Sequence, residues 1–253
     1  MRIPDELEAK IENEINNIKL TDLRDIAKIL SARYMNAKRT GQSLLNKNLE
    51  VLAYSIIRMP ATFCAINKAI EETLKRYNPN IKTVLDIGSG TGAGEWAVLN
   101  NIDVEEITCI EREKEMENMA RKLLQGHNNI KWRNQDIVQD NITDKADLII
   151  TSYMINELKE ASKEKVINDI LQVFNKLAIF IEPGTPEGFN NIRKVQRLAL
   201  ERNLNIIAPC TCQTECSLPP DDWCHSIVRV ERSKVHKFVK DLSLIHISEP
   251  TRH

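Results

Sequence analysis

Four of the eight glycines fall at Gly88, Gly90, Gly92 and Gly94, directly after the apolar run Val84-Leu85-Asp86-Ile87. Glycine admits positive φ and lets a ligand approach the backbone closely. A helix that starts at such a loop presents free N–H groups and a positive dipole end. That chemistry suits the methionine carboxylate of S-adenosylmethionine or the diphosphate of a dinucleotide. Gly88-Ser89-Gly90-Thr91-Gly92-Ala93 also satisfies the G-x-G-x-x-G/A pattern of nicotinamide cofactors. Acids at the ends of the β-like runs supply further contacts. Glu111 can accept both hydroxyls of a ribose, a role that either cofactor offers. Asp136, in Asn134-Gln135-Asp136-Ile137, suits an exocyclic adenine amine.

A second constellation is made of sulfur. Cys210, Cys212, Cys216 and Cys224 lie between Pro209 and His225, with Pro219 and Pro220 among them, so they belong to a loop and not a helix face. Thiolates gathered in a loop are the usual ligands of zinc or an iron–sulfur cluster. The spacings match neither the paired C-x-x-C of zinc ribbons nor the ferredoxin run, so the metal stays open between the two. Cys64 and Cys109 sit in helix and strand patterns and read as core.

The elements that must position these groups follow from periodicity. Residues 1–79 read as an N-terminal helical region. One helix is expected around Leu20–Leu30 with Thr21 as its cap, one over Leu49–Met59, and one over Ala61–Tyr77. Asn78-Pro79-Asn80 is a turn and marks the boundary. From residue 80 to 208, β-branched runs alternate with helical stretches. Strands are expected at Thr83–Ile87, Glu106–Glu111, Ile130–Asn134, Asp147–Thr151, Ala178–Glu182 and Leu204–Ala208. Helices are expected at Ala93–Asn100, Glu113–Gln125, Ser162–Leu177 and Asn190–Arg202. This alternation predicts an α/β fold: a Rossmann-like parallel sheet with helices on both faces. Residues 209–241 form a Cys-rich segment and a basic stretch. Residues 242–253 carry no cap or periodicity and read as a non-native tail, which would leave the fold truncated.

Bulk properties narrow the function classes. The formal net charge is −1 and the chain is 42% hydrophobic and 28% charged, so no global field draws it to nucleic acid or membrane. Any RNA contact needs a local patch. Arg229, Arg232, Lys234, Lys237 and Lys240, with His236, offer one, and Arg193, Lys194 and Arg197 a second. No apolar run approaches the roughly 20 residues of a bilayer span. The early acids and missing apolar signal core point to a bacterial-type cytoplasm.

Asp86-Ile87-Gly88-Ser89-Gly90-Thr91-Gly92 resembles the D-x-G-x-G-x-G first motif of class I methyltransferases, and Asp136 falls in the third-motif position. Together they favour the methyl donor over NAD, with Asp86, Gly88, Gly90, Gly92, Glu111 and Asp136 as its binding residues. The fourth motif would be Asp147–Glu157. It lacks the N/D-P-P-Y/F of amino-directed nucleic-acid methylases, and its polar groups Asn156 and Glu157 are the catalytic candidates. Several segments resemble the methyltransferase-like family of small-ribosomal-subunit assembly proteins of bacteria and mitochondria. They are Tyr54–Ile66, Val84–Trp96, Asp147–Leu158, Ile181–Gly188 (IEPGTPEG), and Ile207–Cys210 with Trp223-Cys224-His225. The resemblance spans roughly residues 20–240. It implies a [4Fe–4S] cluster on Cys210, Cys216 and Cys224, with Cys212 the lesser candidate and a fourth ligand further downstream. It also implies rRNA of the small subunit as partner, a role in assembly and translation, and a mitochondrial location for eukaryotic relatives. Two other readings stand beside it: a small-molecule methyltransferase with structural zinc, and an NAD-dependent dehydrogenase.

Overall fold

The computed structural model describes residues 1–36, 48–219 and 221–240. The segment 242–253, expected as a non-native tail, lies outside them. Five strands build one sheet: β1 Thr83–Ile87, β2 Glu106–Glu111, β3 Ile130–Asn134, β4 Ala146–Ser152 and β5 Phe174–Ile181. Their order is β3-β2-β1-β4-β5 and every pairing is parallel. The order reverses beside β1, so the crevice at the C-terminal ends of β1 and β4 is the place where such sheets bind ligands. This is the doubly wound, Rossmann-like architecture expected from the strand–helix alternation.

Period-two alternation explains why both faces are covered. Val84, Ile107, Cys109, Leu148, Ile150, Leu177 and Ile179 point to one core, and Leu85, Ile87, Ile110 and Ile149 to the other. Strands buried on both faces read as continuous apolar runs, as these do. The first face carries α5 Ala93–Asn101 and α6 Lys114–Leu123. Onto it also pack α1 Asp5–Ile15, α2 Leu20–Asn36, α3 Asn48–Ile57 and α4 Met59–Leu74. The second face carries α7 Glu160–Ile170 and α8 Pro186–Glu201. A last helix, α9 Lys234–Lys240, returns to lie against α2 and α3. No single helix among the described residues is long and apolar enough to cross a membrane. The pair α3 and α4 passes that test only jointly, across a 51° bend, and is largely buried in the core.

Several expectations need correction. The helix at Asp5–Ile15 was not anticipated, although Leu7, Ile11 and Ile15 form a buried i, i+4, i+8 stripe. Thr21 does not cap α2: that helix opens at Leu20, with Lys19 O accepting from the Asp22 and Leu23 amides, while the Thr21 hydroxyl contacts Asp22. The helix expected over Ser162–Leu177 stops at Ile170, and β5 starts at Phe174. There Phe174 and Leu177 pair with Ala146 and Leu148 in the sheet, a tertiary gain that overrides the helical pattern. Leu204–Ala208 does not join the sheet. The Gln213 side chain instead accepts from Ile206 N (3.0 Å) and donates to Ile206 O (2.8 Å), taking the bonds a neighbouring strand would have made.

Helix α9 contains a buried titratable group. His236 is 3% exposed, and neither ring nitrogen has a partner among the described residues. Burial, then Lys240 and Arg232, lower its pKa to about 4. The unfolded chain, near 6.5, therefore binds the proton more readily than the folded one. The neutral ring contributes stability above about pH 6.5 that is lost as pH falls towards 4. Urea titrations at pH 7 and pH 4.5 should show His236→Leu losing less stability over that interval than the parent, by roughly 2 kcal/mol. Equal losses would contradict the assignment.

Candidate functional site

The glycine loop is held by the strand next door. Gly88 N and Ser89 N both donate to Ile110 O, at 2.8 and 3.1 Å. Gly88, Gly90 and Gly92 all have positive φ (76°, 59° and 94°), which side-chain-bearing residues rarely adopt. A Cβ on Gly88 would lie 2.8 Å from Met154 Cγ, so the loop also packs closely on the segment after β4.

Glu111 ends β2 and ties itself to the loop. One carboxylate oxygen accepts from Gly90 N (2.8 Å) and the other from Glu113 N (2.7 Å). Each oxygen keeps a further lone pair for a ligand hydroxyl. Asp136 is differently occupied. Its Oδ1 accepts from Val138 N (3.0 Å) and its Oδ2 from Gln139 Nε2 (3.1 Å), so the side chain caps the turn that follows β3.

Asp86 is 1% exposed and neither carboxylate oxygen has a hydrogen-bond partner among the described residues. Glu95, from the first turn of α5, is fully buried and equally unpartnered. Cys109 neighbours Asp86 in the β1–β2 register, and its thiol lies beside the Glu95 carboxyl without a hydrogen bond of good geometry. Burial, then the charges of Glu95 and Glu111, push Asp86 well above the carboxylate range. Burial pushes Glu95 up to about 7. The hydroxyls of Ser89 and Thr151, both buried near the same strand ends, also lack partners. Buried polar groups are normally satisfied, so this set is what a polar ligand would complete.

The floor of the crevice after β4 is built by Glu182. Its carboxylate accepts from Asn191 Nδ2 (2.8 Å) and lies near the backbone amides of Asn156 and Ile155, which oppose the upward push of burial. Asn191 in turn accepts from the buried Lys163 Nζ at 2.9 Å. Burial raises Glu182 to about 7. This network lies against the short 3-10 turn Ile155–Glu157, which carries the two catalytic candidates. The Asn156 Oδ1 is buried without a partner among the described residues. Glu157 is open to water at the rim; surrounding protein and Glu111 push its carboxyl upward, a push that solvent screens. Tyr54 of α3 and Arg58, which joins α3 to α4, reach the same rim, where Glu157 and Glu111 act on Tyr54. The N-terminal helices therefore contribute directly to the mouth.

Glu95, Glu182, Tyr54 and Arg58 escaped the sequence reading. An acid at Glu95, flanked by Gly94 and Trp96 in an otherwise apolar helix start, was the available signal.

The cysteines are not brought together as a metal site. Cys210, Cys212 and Cys224 are exposed and Cys216 half-buried, and all are free thiols. Among the described residues no group of three or more His, Cys, Asp or Glu side chains is placed to hold a metal ion. A cluster therefore does not fit the thiols as arranged here. Of the basic candidates, Arg229, Lys234 and Lys237 are exposed, with Arg232 and Lys240 half-buried. Their stretch is anchored by Met1, whose ammonium donates to Arg229 O (2.8 Å) and whose carbonyl accepts from Glu231 N (2.7 Å). In the second basic group, Lys194 pairs with Glu160, and Arg197 with Glu164 and Glu201, which neutralises most of it.

Residues 48–249 match the family model described as mitochondrial small ribosomal subunit Rsm22. The chain belongs to this family. A human relative, the mitochondrial ribosome assembly protein METTL17, is 25% identical over 187 residues. That match takes in 65% of this chain and 40% of the relative, so the chain spans well under half of that protein's length. Among solved structures, an S-adenosylmethionine-dependent methyltransferase from Clostridium acetobutylicum is 17% identical, with a TM-score of 0.46 over 55% of this chain and 57% of that one. CalS10, an amino pentose methyltransferase from Micromonospora echinaspora, is 16% identical, with a TM-score of 0.42 over 49% and 52%. At those scores the strand order, and not these likenesses, assigns the architecture of this Rsm22-family chain.

Proposed function

We propose that this chain binds S-adenosylmethionine at the glycine loop and acts as a methyltransferase-like assembly factor of the small ribosomal subunit. The carrying observation is the sign of the site. Asp86, Glu95, Glu111, Glu157 and Glu182 influence one another around the crevice, with Arg58, Arg112 and the buried Lys163 as the nearby cations. S-adenosylmethionine is a net cation through its sulfonium and ammonium groups, whereas a dinucleotide brings an anionic diphosphate. Beside the glycine loop stand Glu111 and the one negative charge that Asp86 and Glu95 keep, and in a site of low dielectric these favour the cation and repel the diphosphate. The unpartnered Asp86, Ser89 and Thr151 groups fit the donor's polar end, and Glu111 the ribose.

When bound, this donor supplies an already activated methyl group, so placement alone can carry the transfer. Glu111 and the glycine loop would hold the nucleoside. The Glu182–Asn191–Lys163 network would hold the 155–157 turn, and with it Asn156 and Glu157, at the mouth where an acceptor enters. Asp136, already capping its own turn, would contribute at most its remaining lone pairs to the adenine.

Family membership supports the small subunit as partner, and the exposed Arg229, Lys234 and Lys237 suit phosphate contacts that position a protein without reading sequence. Among the described residues these three have no acidic partner within ion-pair distance. Sedimentation with purified small subunits at increasing salt tests this. Binding that weakens steeply with salt, and loses about one unit of log–log slope when Lys237 becomes Ala, is expected. Binding indifferent to both would remove rRNA from the reading. The compartment follows the organism: cytoplasm in bacteria, mitochondria in eukaryotic relatives.

A metal on Cys210, Cys216 and Cys224 is a separate part of the proposal, and it requires these thiols, which stand apart in the structure, to be drawn together. It rests on four thiols in one proline-bounded loop and on the family resemblance. Anaerobic purification followed by iron, acid-labile sulfide and zinc assays decides it. Iron with sulfide, lost in Cys210→Ser, supports a cluster; zinc alone supports the structural-zinc alternative; no metal removes both.

A further inference from the structure

Two carboxyl groups without partners are packed beneath the glycine loop, and only one of them, Asp86, belongs to the motif that the donor reading uses. Asp86 projects from β1 so closely against the first turn of α5 that a Cβ on Gly94 would lie 1.9 Å from its Oδ2. Glu95 is the next residue on that turn and is fully buried. Neither carboxyl has a hydrogen-bond donor of good geometry among the described residues. Two anions cannot both persist in such a place, because each adds its desolvation cost to their mutual repulsion. The other ionisable groups acting on the pair do not compensate. Glu111 and the Cys109 thiol come from β2, and Arg121 of α6 acts on Cys109.

We propose that Asp86 and Glu95 together hold one proton in the free protein and release it to solvent when an α-ammonium group docks against Asp86. The inference rests on the donor reading above and sharpens it: the amino-acid end of the ligand, not its nucleoside, is coupled to proton release. In the free state one of the two carboxyls keeps its proton, which leaves the pair with a single negative charge. An ammonium group arriving beside Asp86 supplies the compensating positive charge, so the second carboxyl ionises and its proton passes to buffer. The raised affinity of both carboxyls for protons agrees with this. The sign follows: ligand binding competes with the proton, so affinity rises with pH until the free pair ionises by itself.

Calorimetric titration of the full chain with S-adenosylhomocysteine, in buffers of different ionisation enthalpy near pH 6.5, reads the proton count directly. Release of about one proton per ligand is expected, with affinity rising by up to about tenfold per pH unit below neutrality. Methylthioadenosine, which has the nucleoside but no amino-acid end, should bind with no proton released. Glu95→Gln should bind S-adenosylhomocysteine with its proton release abolished. Should that variant fail to fold, the comparison of the two ligands on the parent chain stands alone. Binding of S-adenosylhomocysteine without proton release, or equal release with methylthioadenosine, would overturn the proton coupling and leave the donor reading intact. Failure of both ligands to bind would overturn the donor reading and the coupling with it.

Discussion

Gly94→Ala should destabilise the protein and abolish tight binding of S-adenosylhomocysteine. Helix propensity alone argues the opposite, since alanine within a helix is favoured over glycine by about 1 kcal/mol. Packing decides the sign. The new methyl would lie 1.9 Å from Asp86 Oδ2 and 2.9 Å from its Cγ. Asp86 is short and 1% exposed, so it cannot swing into water without opening the core. Overpacking a buried site costs about 1–3 kcal/mol, which outweighs the propensity gain. The displaced carboxylate would no longer stand under the glycine loop, so affinity should fall by at least about tenfold, or roughly 1.4 kcal/mol. Urea unfolding and ligand titration on the same preparation check both parts. A variant more stable than its parent would show that α5 leaves room beside Asp86 for a methyl group.

Glu111→Ala carries the second large effect. The side chain removed accepts from Gly90 N and Glu113 N at 2.8 and 2.7 Å. Bonds to a charged acceptor are worth about 1.5–3 kcal/mol each, and a donor left unsatisfied costs about 1–3 kcal/mol. Part of that cost is recovered by water entering the gap, so a loss near 2–4 kcal/mol is expected. Because the same carboxylate is the proposed ribose acceptor, adenosine-containing ligands should bind about a hundredfold or more weakly. Glu111→Gln keeps one acceptor oxygen and should recover much of the stability but little of the affinity. If Glu111→Ala binds S-adenosylhomocysteine normally, the ribose does not sit on β2.

The glycine loop and four of the strands were legible because their signals are local. A short apolar run, a cluster of glycines and a helix start are all contained within residues 83–101. The first three strands have the expected bounds, and the fourth extends one residue beyond them at each end. β5 and the non-strand at Leu204–Ala208 were misread because tertiary pairing decided them. Phe174 finds Ala146 across the sheet, and Ile206 finds the Gln213 side chain. The acid pair was half legible: Asp86 stands in a known motif, but Glu95 becomes its neighbour only once α5 folds back over β1. The crevice floor was similarly hidden. Glu182 and Asn191 are nine residues apart, yet Lys163 completes their network from another helix. The cysteine spacing drew attention to a loop whose thiols the chain alone does not gather.

An acid-lined glycine loop should select the sulfonium nucleoside over a dinucleotide. Calorimetry of one preparation against S-adenosylmethionine and NAD tests it most directly. Saturable binding of S-adenosylmethionine with no detectable heat from NAD is the predicted result. NAD binding without S-adenosylmethionine binding would contradict the electrostatic argument and make the dehydrogenase reading the better one.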